Sequence, residues 1–502
     1  MNDSDFQSCA LQFYCTAGNG MESFLIQEVK LKLAAKDVDH IPGKVFFTTF
    51  VGIKQVRELK SAERLFLLLK RSSPLLGHSE SQIKSRLVGD GNDWTAAVLS
   101  WRFLQREIMR RDSPASMVLP GCKRKRMEEE SSVDTPYFDK PPTVGLDRSS
   151  QELADHMSSA EVCRSEKCFG GNKNEVNKVD TDCDEELQKD NGDSFSTRVS
   201  MVSFRVSCRC SGALSRRFST QDVSRIIGMA ASRQLGWKVD LRKPDLEVNV
   251  YISDDHCVLG IPLFRLPLAN RSYMKTTGLR STIAWAMTSL SDIKPGSRVL
   301  DPMCGVGTIL LEAAQEYRDA FFLGMDVDGS QLVKAGQNVE FSEHRNRIQL
   351  IQASCKGIPL SSCSVDAVVC DIPFGKKFGN KTDMAACLPT IVNEMERILC
   401  VGGTLVLLLS PQLSCLLKKV MTPQPLPSHT QEEKTELGFG GVVDPSVTRS
   451  LFPSLEPHRY HRVSLGAIDG IIHKYVKIQT SVPSLRGADC THGQTHPLET
   501  GS

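Results

Sequence analysis

Apolar and polar positions change period several times along the chain, and each change marks an element. Leu11–Ala17 alternates as a strand and breaks at Gly18-Asn19-Gly20. Phe24, Leu25, Glu28, Val29, Leu31 and Lys32 then fall at helical spacing within Met21–Ala35. Lys44–Thr49 reads as a second strand, Ile53–Leu59 as a short helix and Glu63–Lys70 as a third apolar run, the order of a small α+β unit. Further on, Ser200–Arg209 alternates again. Phe218–Asp222 supplies a cap for a helix whose Val223, Ile226, Ile227 and Ala230 share one face. Trp237–Leu241 and Leu246–Ile252 are further strand candidates.

From about Leu266 to Lys477 strands and helices alternate at the spacing of a doubly wound parallel sheet. Arg298–Asp301, Phe321–Met325, Ile348–Gln352, Val365–Cys370 and Thr404–Leu409 are its successive strands. A final pair, Arg462–Ala467 and Ile471–Val476, is expected to turn at Asp469-Gly470. The fold class is therefore α/β: a C-terminal Rossmann-like domain preceded by an α+β module.

Between these blocks the periodicity disappears. Met127–Ser196 holds 18 acidic against 7 basic residues and many Ser, Gly and Asn, the composition of a disordered insertion. Lys123-Arg124-Lys125-Arg126 stands just before it and is compatible with nuclear import. The expected divisions are 10–119, 120–196 (the insertion), 197–265, 266–480 and a flexible tail, 481–502. No apolar run approaches the about 20 residues that cross a bilayer, and the first residues lack a signal-peptide pattern, so no membrane association is expected.

The net charge of +2 hides a segregation of opposites, since Thr197–Ile252 carries 10 basic and 4 acidic residues. Arg205, Arg216, Arg217, Arg225, Lys238, Arg242 and Lys243 are candidates for contact with nucleic-acid phosphates, the alternative being an ordinary basic surface. The 17 cysteines include no CxxC pair, so no metal site is expected in this chain and the thiols read as reduced packing residues.

The sharpest local sequence is Val299–Leu310, in which a strand enters a Gly-x-Gly turn that opens a helix. Glycines there let backbone amides approach a ligand, and the helix start favours negative charge. A nicotinamide or flavin cofactor would suit that turn equally well. Two details point elsewhere: Leu310 replaces the third glycine of a dinucleotide fingerprint, and Asp301 would repel a pyrophosphate but attract the ammonium of S-adenosylmethionine. Cys304, Gly305, Gly307 and Thr308 form the candidate cofactor turn, and Asp326 at the next strand tip suits the hydroxyls of a ribose. The fourth strand ends in Asp371-Ile372-Pro373-Phe374-Gly375. A carboxylate and a backbone carbonyl can accept the two N–H bonds of an exocyclic amine and aim its lone pair at a methyl group, while an aromatic ring stacks on the base.

DPMCGVGTILLEAA followed by DIPFG resembles the THUMP-domain RNA methyltransferases that modify the 2-amino group of guanosine. Thr276–Ala284 resembles that family's helix beside the cofactor. Phe218–Asp222 and Gly236–Leu241 are similar to its THUMP domain, and Thr16–Glu22 to its ferredoxin-like N-terminal part. The resemblance implies S-adenosylmethionine around Asp301, Gly305, Gly307 and Asp326, a guanine at Asp371–Phe374, and as substrate a transfer RNA or the U6 small nuclear RNA, the latter with a nuclear site. It also implies a small zinc-binding activator subunit resembling Trm112, for which the apolar strand Ile348–Ile351 is the expected docking edge. The sequence departs from the family where an acid usually follows the third strand; Ser354 stands there. A catalytically silent RNA-binding scaffold is the alternative this departure leaves open.

Overall fold

The computed structural model describes residues 10–75, 79–112, 202–342, 344–374, 381–422 and 451–480. The acidic insertion, the basic tetrad, Gly375, residues 423–450 and the tail lie outside the described residues.

In the N-terminal half, strands alternate between a helix-covered face and a bare one. These strands are β1 (Leu11–Thr16), β2 (Lys36–Ile41), β3 (Lys44–Thr49), β4 (Arg64–Ser72), β5 (Ser203–Cys210), β6 (Lys238–Val239), β7 (Leu246–Ile252) and β8 (Cys257–Pro262). They form a single eight-stranded sheet in the order β2-β3-β1-β4-β8-β7-β5-β6. The N-terminal and middle blocks are therefore not separate sheets; β4 pairs antiparallel with β8 and joins them. On one face Phe13, Phe47, Leu67, Phe204 and Val248 pack under Leu25 and Val29 of the helix Glu22–Leu33, Trp94 and Val98 of Asn92–Asp112, and Ile226 and Ile227 of Thr220–Leu235. The last helix begins with a capping box in which Ser219 Oγ accepts from Asp222 N at 3.1 Å while Asp222 accepts from Ser219 N. The opposite face carries a separate cluster of Tyr14, Phe46, Phe66 and Val258, to which no described helix contributes.

Three elements are not among those expected from the sequence. β2 (KDVDHI) is polar because it is an edge strand, mostly exposed, with only Val38 and Ile41 partly buried. β8 is an apolar run without alternation because it is buried on both faces. The helix Asn92–Asp112 is not among the expected elements although Trp94, Ala97, Val98, Trp101, Leu104 and Ile108 keep helical spacing, and it buries Trp94, Ala97, Val98 and Leu104. The expected strand Trp237–Leu241 shrinks to Lys238–Val239.

The second sheet contains β9 (Arg298–Asp301), β10 (Phe321–Asp326), β11 (Ile348–Gln352), β12 (Val365–Asp371), β13 (Leu399–Leu409), β14 (Leu455–Ser464) and β15 (Asp469–Lys477). Its order is β11-β10-β9-β12-β13-β15-β14; the first five strands run parallel, while β15 is antiparallel to both its neighbours. Apolar cores fill both faces, as a Rossmann-like layering requires. Strand order reverses between β9 and β12, and the crevice beyond their carboxyl ends is where ligands of such sheets bind.

The final hairpin does not turn at Asp469-Gly470. Ser464 pairs with Asp469, and the reversal runs through Leu465–Ile468, closed by Leu465 N to Ile468 O at 2.8 Å with Gly466 at φ +94°. Gly470 serves packing instead: a Cβ there would stand 2.8 Å from Leu408 Cδ1.

Candidate active site

The turn after β9 is held by its backbone. Cys304 N donates to Met325 O of β10 at 2.8 Å, and Gly307 N closes on Cys304 O at 2.8 Å. This geometry puts Gly305 at φ +52° and Gly307 at φ +82°, the left-handed region where a side chain is strained. Glycine is also required below the turn, because a Cβ on Gly324 would sit 2.6 Å from Leu310 Cδ1 and 3.0 Å from Cys304 Sγ. Cys304 is thereby packed between turn and sheet, and burial pushes its thiol up, leaving it unreactive.

Asp326 is fixed at the tip of β10. One carboxylate oxygen accepts from Gly305 N and the other from Asp328 N, each at 2.9 Å. Asp328 is a helix cap, accepting from Ser330 N at 2.8 Å. Asp301 lies fully buried beneath the turn, where its carboxyl accepts from Met303 N at 3.2 Å. Burial pushes its pKa well above the carboxylate range, and the charges of Asp371 and Asp326 add to the shift. A cation placed beside it would offset both effects.

Thr308 opens the helix Thr308–Glu316, and its hydroxyl accepts from Gly278 N at 3.0 Å, docking the Thr276–Arg280 segment on the turn. Asn338 completes that docking and was missed from sequence. Its oxygen accepts from Lys275 N and Thr276 N, while its amide donates to Thr276 O at 2.7 Å and Val306 O at 2.9 Å. The available signal was one buried Asn on the apolar side of the helix Gly329–Phe341, spaced with Ala335 and Val339.

At the tip of β11, Ala353 N reaches Asp326 O at 3.1 Å, and Ser354 Oγ accepts from Lys356 N at 3.3 Å to start a turn. Ser354 thus stands beside the Asp326 loop with its hydroxyl engaged in local structure.

β12 delivers Asp371 to the other side of the switch point. Ile372 N is tied to Leu408 O at 3.1 Å and its side chain is fully buried, which fixes the direction of the strand end. Among the described residues no donor reaches the Asp371 carboxyl, and burial pushes its pKa up to about 7. Pro373 and Phe374 continue along the rim; the Phe374 ring lies against Gly470, whose Cβ would be 3.5 Å from it. Asp371 lines a cavity of about 750 Å³ together with Asn270, Thr277, Arg280, Leu465 and Glu63. Glu63 belongs to the N-terminal half and accepts from Thr282 Oγ1 at 3.2 Å and from Arg280 at 3.4 Å. No sequence pattern links it to Asp371; only the tertiary fold does.

The seven basic candidates do not share one face. Arg205 stands on the bare side of the sheet, paired with Glu247 at 2.7 Å, whereas Arg225 projects from the helix Thr220–Leu235 on the other side. Arg216 and Arg217 sit at a short turn after β5, Lys238 on the edge strand β6, and Arg242 and Lys243 in a loop whose backbone amides donate to Asp240. Among the described residues no group of three His, Cys, Asp or Glu side chains is placed to hold a metal ion. No described helix is long and apolar enough to cross a membrane.

Sheet order, glycine turn and converging carboxylates define an S-adenosylmethionine-dependent methyltransferase domain, carried behind a separate sheet-and-helix module. Comparison with known proteins agrees. Residues 269–424 match the family described as RMKL-like, methyltransferase domain, and residues 184–261 match the THUMP domain. The chain is 40% identical to a Bos taurus protein named U6 snRNA (guanine-N(2))-methyltransferase THUMPD2, over 93% of this chain and 96% of that one. It is 26% identical to a Homo sapiens protein named tRNA (guanine(6)-N(2))-methyltransferase THUMP3, over 80% and 81%. The crystal structure of TrmN from Thermus thermophilus shares the fold, with a TM-score of 0.56 at 19% identity over 93% of this chain and all of that one. The chain belongs to the family of THUMP-domain RNA guanine-N2 methyltransferases. Its residues fit S-adenosylmethionine: a Cβ at Gly305 would meet nothing within 4 Å, so the turn is open above, and Asp326 and Asp301 offer acceptors for ribose hydroxyls and an ammonium.

Proposed function

We propose that the chain methylates the 2-amino group of a guanosine in U6 small nuclear RNA, with Asp371 and the Ile372 carbonyl as acceptors for the two amine hydrogens. The observation that carries this reading is the Asp371 carboxyl, without a donor among the described residues, in a cavity walled by both the methyltransferase sheet and the RNA-binding module. An exocyclic guanine amine is a weak nucleophile because its lone pair is delocalised. Accepting its hydrogens holds the amine with that lone pair turned to the methyl donor. Held at the glycine turn, S-adenosylmethionine would offer an electrophilic methyl on its sulfonium; the guanine nitrogen would form the new bond to carbon as the carbon–sulfur pair passed to sulfur, and one N–H proton would be released. Asp371 orients the amine first and receives that proton second, a role its raised pKa suits. Asp301, Cys304, Gly305, Gly307, Thr308 and Asp326 form the cofactor cradle, with Ser354 at its adenine end. Phe374 provides the stacking ring and Pro373 sets its position.

The relative named for U6 RNA supports that substrate over a transfer RNA, the second reading, for which the more distant relative is named. A U6 substrate implies a nuclear site. The outer edge of the second sheet supports docking of an activator subunit. β11 is the outer strand of its sheet, and Ile351, Phe341, Val333 and Phe321 are exposed along that flank. The test is incubation of the purified chain and activator with U6 and transfer RNA transcripts, followed by nucleoside analysis. N2-methylguanosine in U6 is expected; methylation of transfer RNA alone would overturn the substrate, and no methylated guanosine in either would overturn the reading.

A further inference from the structure

Alternation sends every second side chain of the eight-stranded sheet to the face without a described helix. The cations there include Lys44, Arg64, Arg71, Arg205 and Arg209. Two are answered within the fold, Arg71 by Asp39 at 2.6 Å and Arg205 by Glu247 at 2.7 Å. Lys44 and Arg209 pair with no carboxylate among the described residues, yet the fold brings them together. The Lys44 ammonium sits 3.5 Å from the centre of the Tyr251 ring, and Tyr251 is the register partner of Arg209. Burial, and then the Arg209 charge, lower Lys44 to about 8. His256 stacks on Tyr251 with ring centres 5.4 Å apart, and is itself depressed by burial and by Lys44.

Two like charges held together in a partly desolvated place repel, and the repulsion is relieved when an anion binds between them. An aromatic ring at the same spot adds a surface for a sugar or base. Lys44 comes from the N-terminal block and Arg209 and Tyr251 from the middle block, so the site exists only because one sheet runs through both. We propose that Lys44 and Arg209 hold a phosphodiester of the substrate RNA against Tyr251 on the helix-free face of this sheet. The site rests on the RNA-methylation reading for its ligand but can fail without it.

The test uses the full chain and a labelled U6 transcript, with binding followed by fluorescence anisotropy at several salt concentrations. Lys44→Gln/Arg209→Gln is expected to weaken binding roughly tenfold and to lower the slope of log affinity on log salt by about 1, one phosphate contact. Lys44→Arg is expected to retain both. Arg209→Gln alone, at an exposed position, carries the test if the double variant melts early. Binding and slope equal to the parent chain's would overturn the site. So would unchanged RNA binding together with lost binding of polyglutamate, which would assign the face to an acidic protein. A weakened slope in a chain that methylates neither U6 nor transfer RNA would support the site and count against the methylation reading.

Discussion

Asp301 and Asp371 are neighbours across the switch point, and both carboxyls are raised by burial, but their surroundings separate their roles. Asp301 lies under the glycine turn with a backbone donor, while Asp371 opens on the cavity with none among the described residues. At about 7, Asp371 is ionised only on the alkaline side, and an ionised carboxylate is the stronger acceptor for an amine hydrogen. The single-turnover rate of methyl transfer is therefore expected to rise as pH increases through about 7 and then level off; a rate flat from pH 6 to 8.5 would contradict that role. The motif residues were legible because chemistry and backbone strain demand particular types: glycine at positive φ, an acid at the tips of β9, β10 and β12. Asn338 and Glu63 were not, since each acts on a segment distant in sequence, and only folding brings them there.

In the second sheet β9, β10, β11 and β12 were readable to within a residue, most of them because a parallel strand buried on both faces is a continuous apolar run, but β13 begins at Leu399 rather than Thr404 and β14 runs Leu455–Ser464 rather than Arg462–Ala467. The edges were harder. β2 was hidden by its polarity, β8 by its lack of alternation, and the last hairpin was misplaced because Asp-Gly is a turn signal that packing overrode at Gly470. That hairpin also carries a buried polar device. His473 of β15 is fully buried, its ring nitrogens 2.9 Å from the Tyr475 hydroxyl and 2.8 Å from Ser414 Oγ, with the Tyr460 ring edge-on at 4.7 Å. Burial, and then the Lys418 cation, hold it down to about 3, so the fold keeps it neutral. Its unfolded value is near 6.5, so this contribution to stability is complete above about 6.5 and is lost as pH falls towards 3. The chain's urea midpoint is expected to fall across that window, and His473→Gln, which has no proton to take up, to flatten the fall. An identical slope in the variant would place the acid sensitivity elsewhere.

Across the whole molecule, the RNA-binding module and the methyltransferase sheet meet through a buried polar network. Arg271 donates to Glu312 at 2.9 Å and to the Lys60 carbonyl at 2.6 Å, and the Tyr273 hydroxyl donates to the same carboxylate at 3.0 Å. Glu28 accepts from the backbone amides of Lys60 and Ser61, at 2.8 Å each. The Arg271–Glu312 pair is almost wholly out of water, so removing one partner strands the other. Arg271→Met is expected to destabilise by about 3–5 kcal/mol, and Arg271→Met/Glu312→Leu to recover much of that. Denaturant unfolding checks it; equal losses in both variants would show that shape, not charge, matters at this joint. The division into an α+β module and a Rossmann-like domain was legible from periodicity. The sharing of one sheet by the first two blocks was not, because strand pairing between β4 and β8 leaves no local trace.

The account turns on Asp371. The purified chain, alone and with the proposed activator, and its Asp371→Asn variant should be compared for N2-methylguanosine formed on the U6 transcript while S-adenosylhomocysteine binding is followed in parallel. Loss of at least about 100-fold in methyl transfer, the scale of a lost acid–base or positioning group, with cofactor-product affinity retained is the predicted result. Near-parental turnover by the variant would contradict it.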